Sequence, residues 1–316
     1  MPEISVIIVN WRSKDYVRQC LSALSKYCPI AELEIIVVDS ASYDGCGDML
    51  AKEFPRAVFV QLDQNVGFGR ANNAGFERAT GEYVWLLNPD TEVVGDAATT
   101  LRAALQARND VGMVGARLLN CDGSLQTACV QSLPTPLNQA LDSELLRHIF
   151  GVWGFKAFRS GSQPVEVEAI SGACMMLRRV DFDRVGRFER RYFMYCEDMD
   201  LCFKVRKHGL KILYVPEAGV LHHGGASAQK QFSKFSVVLT QEAVTSYFTG
   251  NYGIAHAWIY RFCMGVSALV RIPALLAGRL FPRASHRKNS ASLKKWITIL
   301  RWCLGGERWA KAYSPS

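Results

Sequence analysis

Ile4-Ser5-Val6-Ile7-Ile8-Val9-Asn10 decides the fold. The run is short, rich in β-branched residues and apolar almost throughout, which marks a strand buried on both faces of a parallel sheet. Ser13 to Tyr27 then reads as a helix, with Tyr16, Val17, Cys20, Leu21 and Leu24 on one stripe and Pro29 beyond its end. Glu34 to Asp39 is a second strand, Gly47 to Phe54 a second helix and Ala57 to Leu62 a third strand. Strands alternating with helices imply right-handed crossovers, hence an α/β fold with a mainly parallel sheet flanked by helices. Ligands bind beyond the carboxyl ends of the strands in such sheets. Asn10, Asp39, Asn65 and Asn88-Pro89-Asp90 all lie just past apolar runs, so four polar endings are expected along one rim.

The loop from Asn65 to Gly75 contains Gly67-x-Gly69-x-x-Asn72, which partly mimics a dinucleotide fingerprint, and Asp90 follows at about the right distance. The third glycine is missing and the loop follows the third strand rather than the first, so a dehydrogenase is disfavoured. A glycine-rich turn feeding a helix still suits a phosphate or nucleotide, because free amides can approach it closely; Gly67, Arg70 and Asn72 are candidates. Tyr83 to Leu87 is a fourth strand that delivers Asn88 and Asp90, with Pro89 fixing the turn. An acid presented there suits Mg²⁺ or Mn²⁺ shared with substrate phosphates. Residues 96–107 read as a helix and Val111 to Ala116 as a strand. From Asn120 to about Val165 the pattern is irregular, with Trp153, Phe155 and Phe158, and suits a substrate pocket. Val167 to Leu177 reads as a strand in which Ser171-Gly172-Ala173 suggests close approach of backbone or ligand, and Lys211 to Val215 as another.

Tyr195-Cys196-Glu197-Asp198-Met199-Asp200-Leu201 places three carboxylates within four residues, ahead of the helical-looking run to His208 that Gly209 closes. One acid caps a helix N-terminus. Three together raise at least one carboxylate pKa unless a cation or a catalytic role absorbs the charge. Val220-Leu221-His222-His223-Gly224-Gly225 follows. Adjacent residues of an extended segment face opposite sides, so one metal takes only one of the two histidines.

Composition bounds these readings. At 316 residues with 49% hydrophobic and 21% charged, the chain is ordinary globular material. The formal charge of +8 is uneven: residues 251–316 hold eleven Lys/Arg against one acid, Glu307, and the first 250 are close to neutral. A basic tail points to a polyanionic surface. Nucleic-acid binding would leave the apolar stripes and the acidic cluster unexplained, so a membrane surface is expected. Ten cysteines without a Cys-x-x-Cys pair, and an N-terminus that runs directly into a strand, predict a reduced, cytoplasmic protein without a signal peptide. Ala255 to Phe281 is rich in apolar and aromatic residues but carries Arg261, Arg271, Arg279 and Pro273. Its longest uncharged run, Phe262 to Val270, is short for a bilayer, so interfacial helices are expected there and over Leu293 to Leu304.

With Asp39, Asn88-Pro89-Asp90, Glu197-Asp198 and His222 in this order, residues 3–228 resemble an inverting family 2 glycosyltransferase of GT-A fold. The segments around Glu197 and His222 resemble its bacterial rhamnosyltransferase branch. The resemblance implies that Asp39 contacts the donor's base or ribose and that Asp90, last acid of an Asp-x-Asp whose first position is here Asn88, ligates the divalent ion. It further implies Asp198 as catalytic base, with Glu197 and Asp200 orienting substrate or tuning it, and His222 on the metal or diphosphate. Asn72 stands where the family often has an arginine. Residues 1–250 would form the catalytic domain, with a nucleotide-binding half to 95 and an acceptor half over 96–228; residues 251–316 would associate with membrane. The implied reaction moves a sugar, L-rhamnose from dTDP-L-rhamnose, to a saccharide or polyprenyl-diphosphate-linked acceptor for cell-surface polysaccharide. The implied place is the inner face of a bacterial plasma membrane.

Overall fold

The structure is a computed structural model and describes residues 2–28, 33–141, 161, 163–224, 233–277 and 286–313. The expectations for Pro29, Trp153, Phe155, Phe158, Gly225 and Arg279 lie outside the described residues. The chain divides into two compact units: residues 1–133, 152–189 and 197–227 form the first, and 134–151, 190–196 and 228–316 the second.

In the first unit β1 (Ile4–Asn10), α1 (Lys14–Tyr27), β2 (Leu33–Ser40), α2 (Cys46–Glu53), β3 (Val58–Leu62), α3 (Phe68–Phe76) and β4 (Tyr83–Leu87) alternate as their sequences require. Every residue of β1 and β4 is buried, as continuous apolar runs demand. There follow β5 (Thr91–Val94), α4 (Ala97–Gln106), β6 (Val111–Leu119) and β7 (Val130–Gln131); after α5 (Pro136–Leu141) of the second unit come β8 (Val165–Val167), β9 (Ala169–Ile170), β10 (Cys174–Arg178), α6 (Arg179–Arg184), α7 (Glu197–Lys207) and β11 (Lys211–His222). The main sheet runs β3-β2-β1-β4-β10-β6-β11-β5, with β8 also on β11. Pairing is parallel across β3-β2-β1-β4 and between β6 and β11, whereas β10, β5 and β8 pair antiparallel.

Two departures from the sequence reading matter for the site. The expected strand Val167 to Leu177 is three pieces: the chain passes at Glu168 from β8 on β11 to β9 on β7, and Ser171-Gly172-Ala173 separates β9 from β10. The expected strand Lys211 to Val215 runs on to His222, with a register shift between Val215 and Gly219 where Pro216 would have broken a regular ladder. That extension pairs His222 with Thr91 and brings the histidines beside the loop of Asp90.

The second unit is helical in its C-terminal part: α8 (Lys234–Tyr252), α9 (Ile254–Ala277) and α10 (His286–Cys303). The sequence reading assigned no element to α8. Ala257, Tyr260, Met264 and Ala268 of α9 recur at helical spacing and are buried. Their neighbours supply the polar partners that buried groups need: Tyr260 Oη donates to Gln241 Oε1 at 2.6 Å, and Trp302 Nε1 donates to Glu242 Oε1 at 2.8 Å. The other side of α9 is apolar and exposed, including Ile254, Trp258, Phe262, Leu269 and Val270 at 60–73%. Arg261 and Arg271 do not break that side. Arg261 donates to the carbonyls of Trp302 and Cys303 and lies over the Trp302 ring, and Arg271 donates to the Leu141 carbonyl at 3.0 Å. Arg261 thus sits at the C-terminus of α10, where the dipole favours a cation. Pro273 is carried near the end of α9, which continues to Ala277. By length and composition α9 is the one described helix that could cross a membrane, so charge counting along the chain understated its apolar reach.

Candidate active site

The rim of the first unit is built by loops that follow β1, β2, β3 and β4. Asn10 Nδ2 donates to Asp39 Oδ2 at 2.6 Å and to Asp44 Oδ1 at 3.1 Å, while its own Oδ1 accepts from Ser13. Asp39 Oδ1 accepts from the Ser42 amide at 2.7 Å and from Gln61 Nε2 at 3.0 Å. Asn10 and Asp39 are both buried, and their bonds hold turns in which Arg12, Ala41 and Tyr43 take φ values of 54°, 54° and 51°. Non-glycine residues in that region signal a backbone held by its surroundings.

The next loop is shaped by Asn65, whose Oδ1 accepts from the Gly67 amide at 3.0 Å and from Ser40 Oγ at 3.2 Å. Gly67 has φ of 83°, which suits glycine, and α3 starts at the following residue. Asn72 Nδ2 donates to the Phe68 carbonyl at 3.0 Å, while its buried Oδ1 has no hydrogen-bond partner among the described residues. Arg70 is half-buried one turn into the same helix. A β-carbon added at Gly69 would stand 3.0 Å from Phe188 Cβ, tight enough that Phe188 would have to shift, and 3.6 Å from Glu197 Cβ, so α3 passes close to the acidic stretch at this glycine.

The acids themselves open α7. Backbone φ values of 71° and 65° at Tyr195 and Cys196 turn the chain sharply into Glu197. Asp198 is half-buried; its Oδ2 accepts from the Gly172 amide at 3.1 Å and its Oδ1 from the Met199 amide at 2.9 Å. The close approach expected at Gly172 is to this carboxylate: an added Cβ would meet Asp198 Cβ at 3.2 Å. Burial pushes the Asp198 pKa up, and the two amides oppose that. Glu197, also buried, is pushed up to about 8, first by desolvation and then by the Asp198 charge, and its Oε2 has no hydrogen-bond partner among the described residues. Asp200 is buried within α7, with Lys204 Nζ 3.8 Å from its Oδ2 one turn on.

One backbone bond joins this acid to the loop after β4. The Asn88 amide donates to the Ala173 carbonyl at 3.0 Å, immediately beside Gly172, in continuation of the register that pairs Leu87 with Cys174. Asn88 Oδ1 is buried with no hydrogen-bond partner among the described residues. Two residues on, Asp90 Oδ1 lies 3.4 Å from His222 Nε2, both side chains about 15% exposed, and the Asp90 carbonyl accepts from the His223 amide at 2.9 Å. His223 faces away, with Nε2 2.7 Å from Glu92 Oε1, as strand alternation requires. Gln126, which the sequence reading passed over, contacts both the ring and the carbonyl of His222.

Among the described residues no group of three or more His, Cys, Asp or Glu side chains is arranged to hold a metal. Asp90 and His222 nonetheless fit a divalent ion that takes its remaining ligands from a diphosphate and water. They present an oxygen and a nitrogen donor a few ångströms apart on a rim, and few protein ligands are what Mg²⁺ and Mn²⁺ bound with phosphates require. In the second unit a cavity of about 400 Å³ is lined by Asn138, Tyr195, Gln241, Lys295 and Trp296, among others.

The family model described as glycosyl transferase family 2 matches residues 5–186. The N-acetylglucosaminyl-diphospho-decaprenol L-rhamnosyltransferase of Mycobacterium tuberculosis (strain ATCC 25618 / H37Rv) is 27% identical over 236 residues, which cover 70% of this chain and 76% of that protein. Rhamnosyltransferase WbbL of Escherichia coli (strain K12) is 26% identical over 242 residues, 73% of this chain and 87% of that one. Among solved structures, the mannosyltransferase PcManGT from Pyrobaculum calidifontis in complex with GDP-Man and Mn²⁺ superposes with a TM-score of 0.58 at 18% identity, covering 99% of this chain and 86% of that one. That likeness concerns the fold.

Proposed function

The chain belongs to glycosyl transferase family 2, a GT-A enzyme with rhamnosyltransferase relatives, and from this premise we propose that it transfers L-rhamnose from dTDP-L-rhamnose, with inversion, to a saccharide or lipid-diphosphate-linked acceptor. The observation that carries the proposal is the short backbone path from Asp90 to Asp198. Asn88 bonds Ala173, and Gly172 bonds Asp198, so a carboxylate suited to accept a proton stands on the same rim as one suited to a cation.

Asp198 removes the proton of the acceptor hydroxyl as that oxygen attacks the anomeric carbon opposite the leaving group. The amides of Gly172 and Met199 aim its carboxylate, and each oxygen keeps a lone pair for the acceptor. Glu197 holds its proton at neutral pH and so spares Asp198 a second adjacent charge. One base suffices for a single displacement, so no glycosyl-enzyme nucleophile is required. Asn72 Oδ1 and Asn88 Oδ1 are buried acceptors suited to donor hydroxyls, while Asn10, Asp39, Asn65, Gly67 and Arg70 shape and flank the nucleotide side. Asp90 and His222 would hold Mg²⁺ or Mn²⁺; when bound, the ion supplies positive charge that stabilises the departing diphosphate.

The acceptor's lipid would be met at a membrane surface. The apolar outer side of α9 lies in a region with eleven basic residues and one acid, and its two inner arginines are engaged with carbonyls. Those properties suit a helix lying in the interface of an anionic bilayer, on the cytoplasmic side. Release of nucleoside diphosphate from a panel of sugar nucleotides, with and without Mn²⁺, tests the reading: dTDP-L-rhamnose should turn over fastest, and a protein that hydrolyses or transfers none of them is not this enzyme.

A further inference from the structure

Gln126 holds His222 at two points. Its Nε2 donates to the His222 carbonyl at 2.5 Å, and its Oε1 lies 2.9 Å from His222 Nδ1. A carbonyl only accepts, so the amide nitrogen must face it and the amide oxygen must face the ring. An oxygen acceptor opposite Nδ1 requires that Nδ1 carry the hydrogen. The neutral ring then presents an electron pair at Nε2, and that atom stands 3.4 Å from Asp90 Oδ1. With the ring in that form, two electron-pair donors stand face to face at this distance, an arrangement that either a proton or a divalent cation completes.

The backbone that carries Gln126 is itself anchored. Its backbone amide donates to the Leu118 carbonyl at 2.9 Å, and Leu125 bridges Leu119. His223, the neighbour on the opposite side of β11, has the reverse situation: its Nε2 is directed at the Glu92 carboxylate. The two adjacent histidines are thus sorted by their partners, one with Nε2 offered to a cation and one with Nε2 engaged.

We propose that Gln126 is a positioning residue that fixes the tautomer and orientation of His222, and thereby the affinity of the Asp90–His222 pair for a divalent cation. The inference rests on the metal reading above and adds to it a residue from a segment without secondary-structure signal. Outer partners of metal-bound histidines commonly matter by about 10–100-fold in affinity.

The test uses the full chain and Mn²⁺, followed through the electron paramagnetic resonance signal of the free ion, with and without dTDP. Gln126→Met, which removes both contacts, should weaken Mn²⁺ binding by about 10–100-fold. Gln126→Glu retains an acceptor for Nδ1 but cannot donate to the carbonyl, and should bind at least as tightly as the parent. A role limited to bracing the carbonyl would instead make Glu as poor as Met. In protein labelled with ¹⁵N-histidine, and assigned with His222→Gln, the parent should show His222 protonated at Nδ1, and Gln126→Met should lose that preference. A parent protonated at Nε2, or Mn²⁺ binding by Gln126→Met within about twofold of the parent, overturns the proposal. Failure of the parent to bind Mn²⁺ at all refutes the Asp90–His222 site itself, a separate result from either of these.

Discussion

Gly172 and Asp198 lie 26 residues apart in sequence and are joined by a 3.1 Å hydrogen bond from the glycine amide to a carboxylate oxygen, in a space that no β-carbon could share without displacement. The bond uses an amide that a continuous strand would have given to its ladder. The break between β9 and β10 is therefore the structural cost of aiming the acid.

Asp198→Asn keeps one oxygen to accept from one of the two amides, loses the other contact because its NH2 group only donates, and cannot take up a proton at neutral pH. Transfer should fall by about 10²–10⁴-fold, with nucleotide affinity within a few-fold of the parent, measured by steady-state kinetics and calorimetry.

Gly172→Ala should act on the same step from the other side. Its new methyl group would press on Asp198 at 3.2 Å, and overpacking of this kind costs about 1–3 kcal/mol. The expected signature is a lower kcat with little change in donor KM, and a modest fall in melting temperature.

Glu197 gives a pH dependence of defined sign. Its folded pKa, raised to about 8 by burial and by Asp198, exceeds that of the unfolded chain, so the folded state binds the extra proton in between. Its favourable contribution is present below about pH 4.5 and is lost as pH rises through about 8, on the order of a few kcal/mol in total. Glu197→Gln should therefore gain melting temperature relative to the parent as pH goes from 5 to 9, and a constant difference across that range would contradict the assignment.

The outer side of α9 can be tested without touching the site. Phe262 is 73% exposed and Leu269 60%, and burying such a side chain is worth about 1.5–3 kcal/mol. Phe262→Ala and Leu269→Ala should each reduce partition onto anionic phospholipid vesicles by about tenfold or more, with turnover on a soluble acceptor analogue unchanged.

Much of this arrangement was legible in the residues. The alternation from Ile4 to Leu87 was read correctly because strands buried on both faces announce themselves as unbroken apolar runs, and α7 because acids at its start and Gly209 at its end bracket it. The small residues around Gly172 signalled a close approach, though not that its partner was Asp198. What stayed hidden depends on contacts distant in sequence. β5 is four residues long and owes its existence to β11. Gln126 sits in an irregular stretch where no periodicity distinguishes it. Arg261 and Arg271 read as interruptions because a linear hydropathy count cannot see carbonyls arriving from other helices.

Those two guanidinium groups carry a practical consequence. A formal charge of +8 ordinarily keeps copies of a protein dispersed by mutual repulsion, but charges drawn in among carbonyls lend none of it to the greasy strip along α9. Preparations in plain buffer should scatter light as polydisperse assemblies, and a mild nonionic surfactant should collapse them to a single sedimenting species.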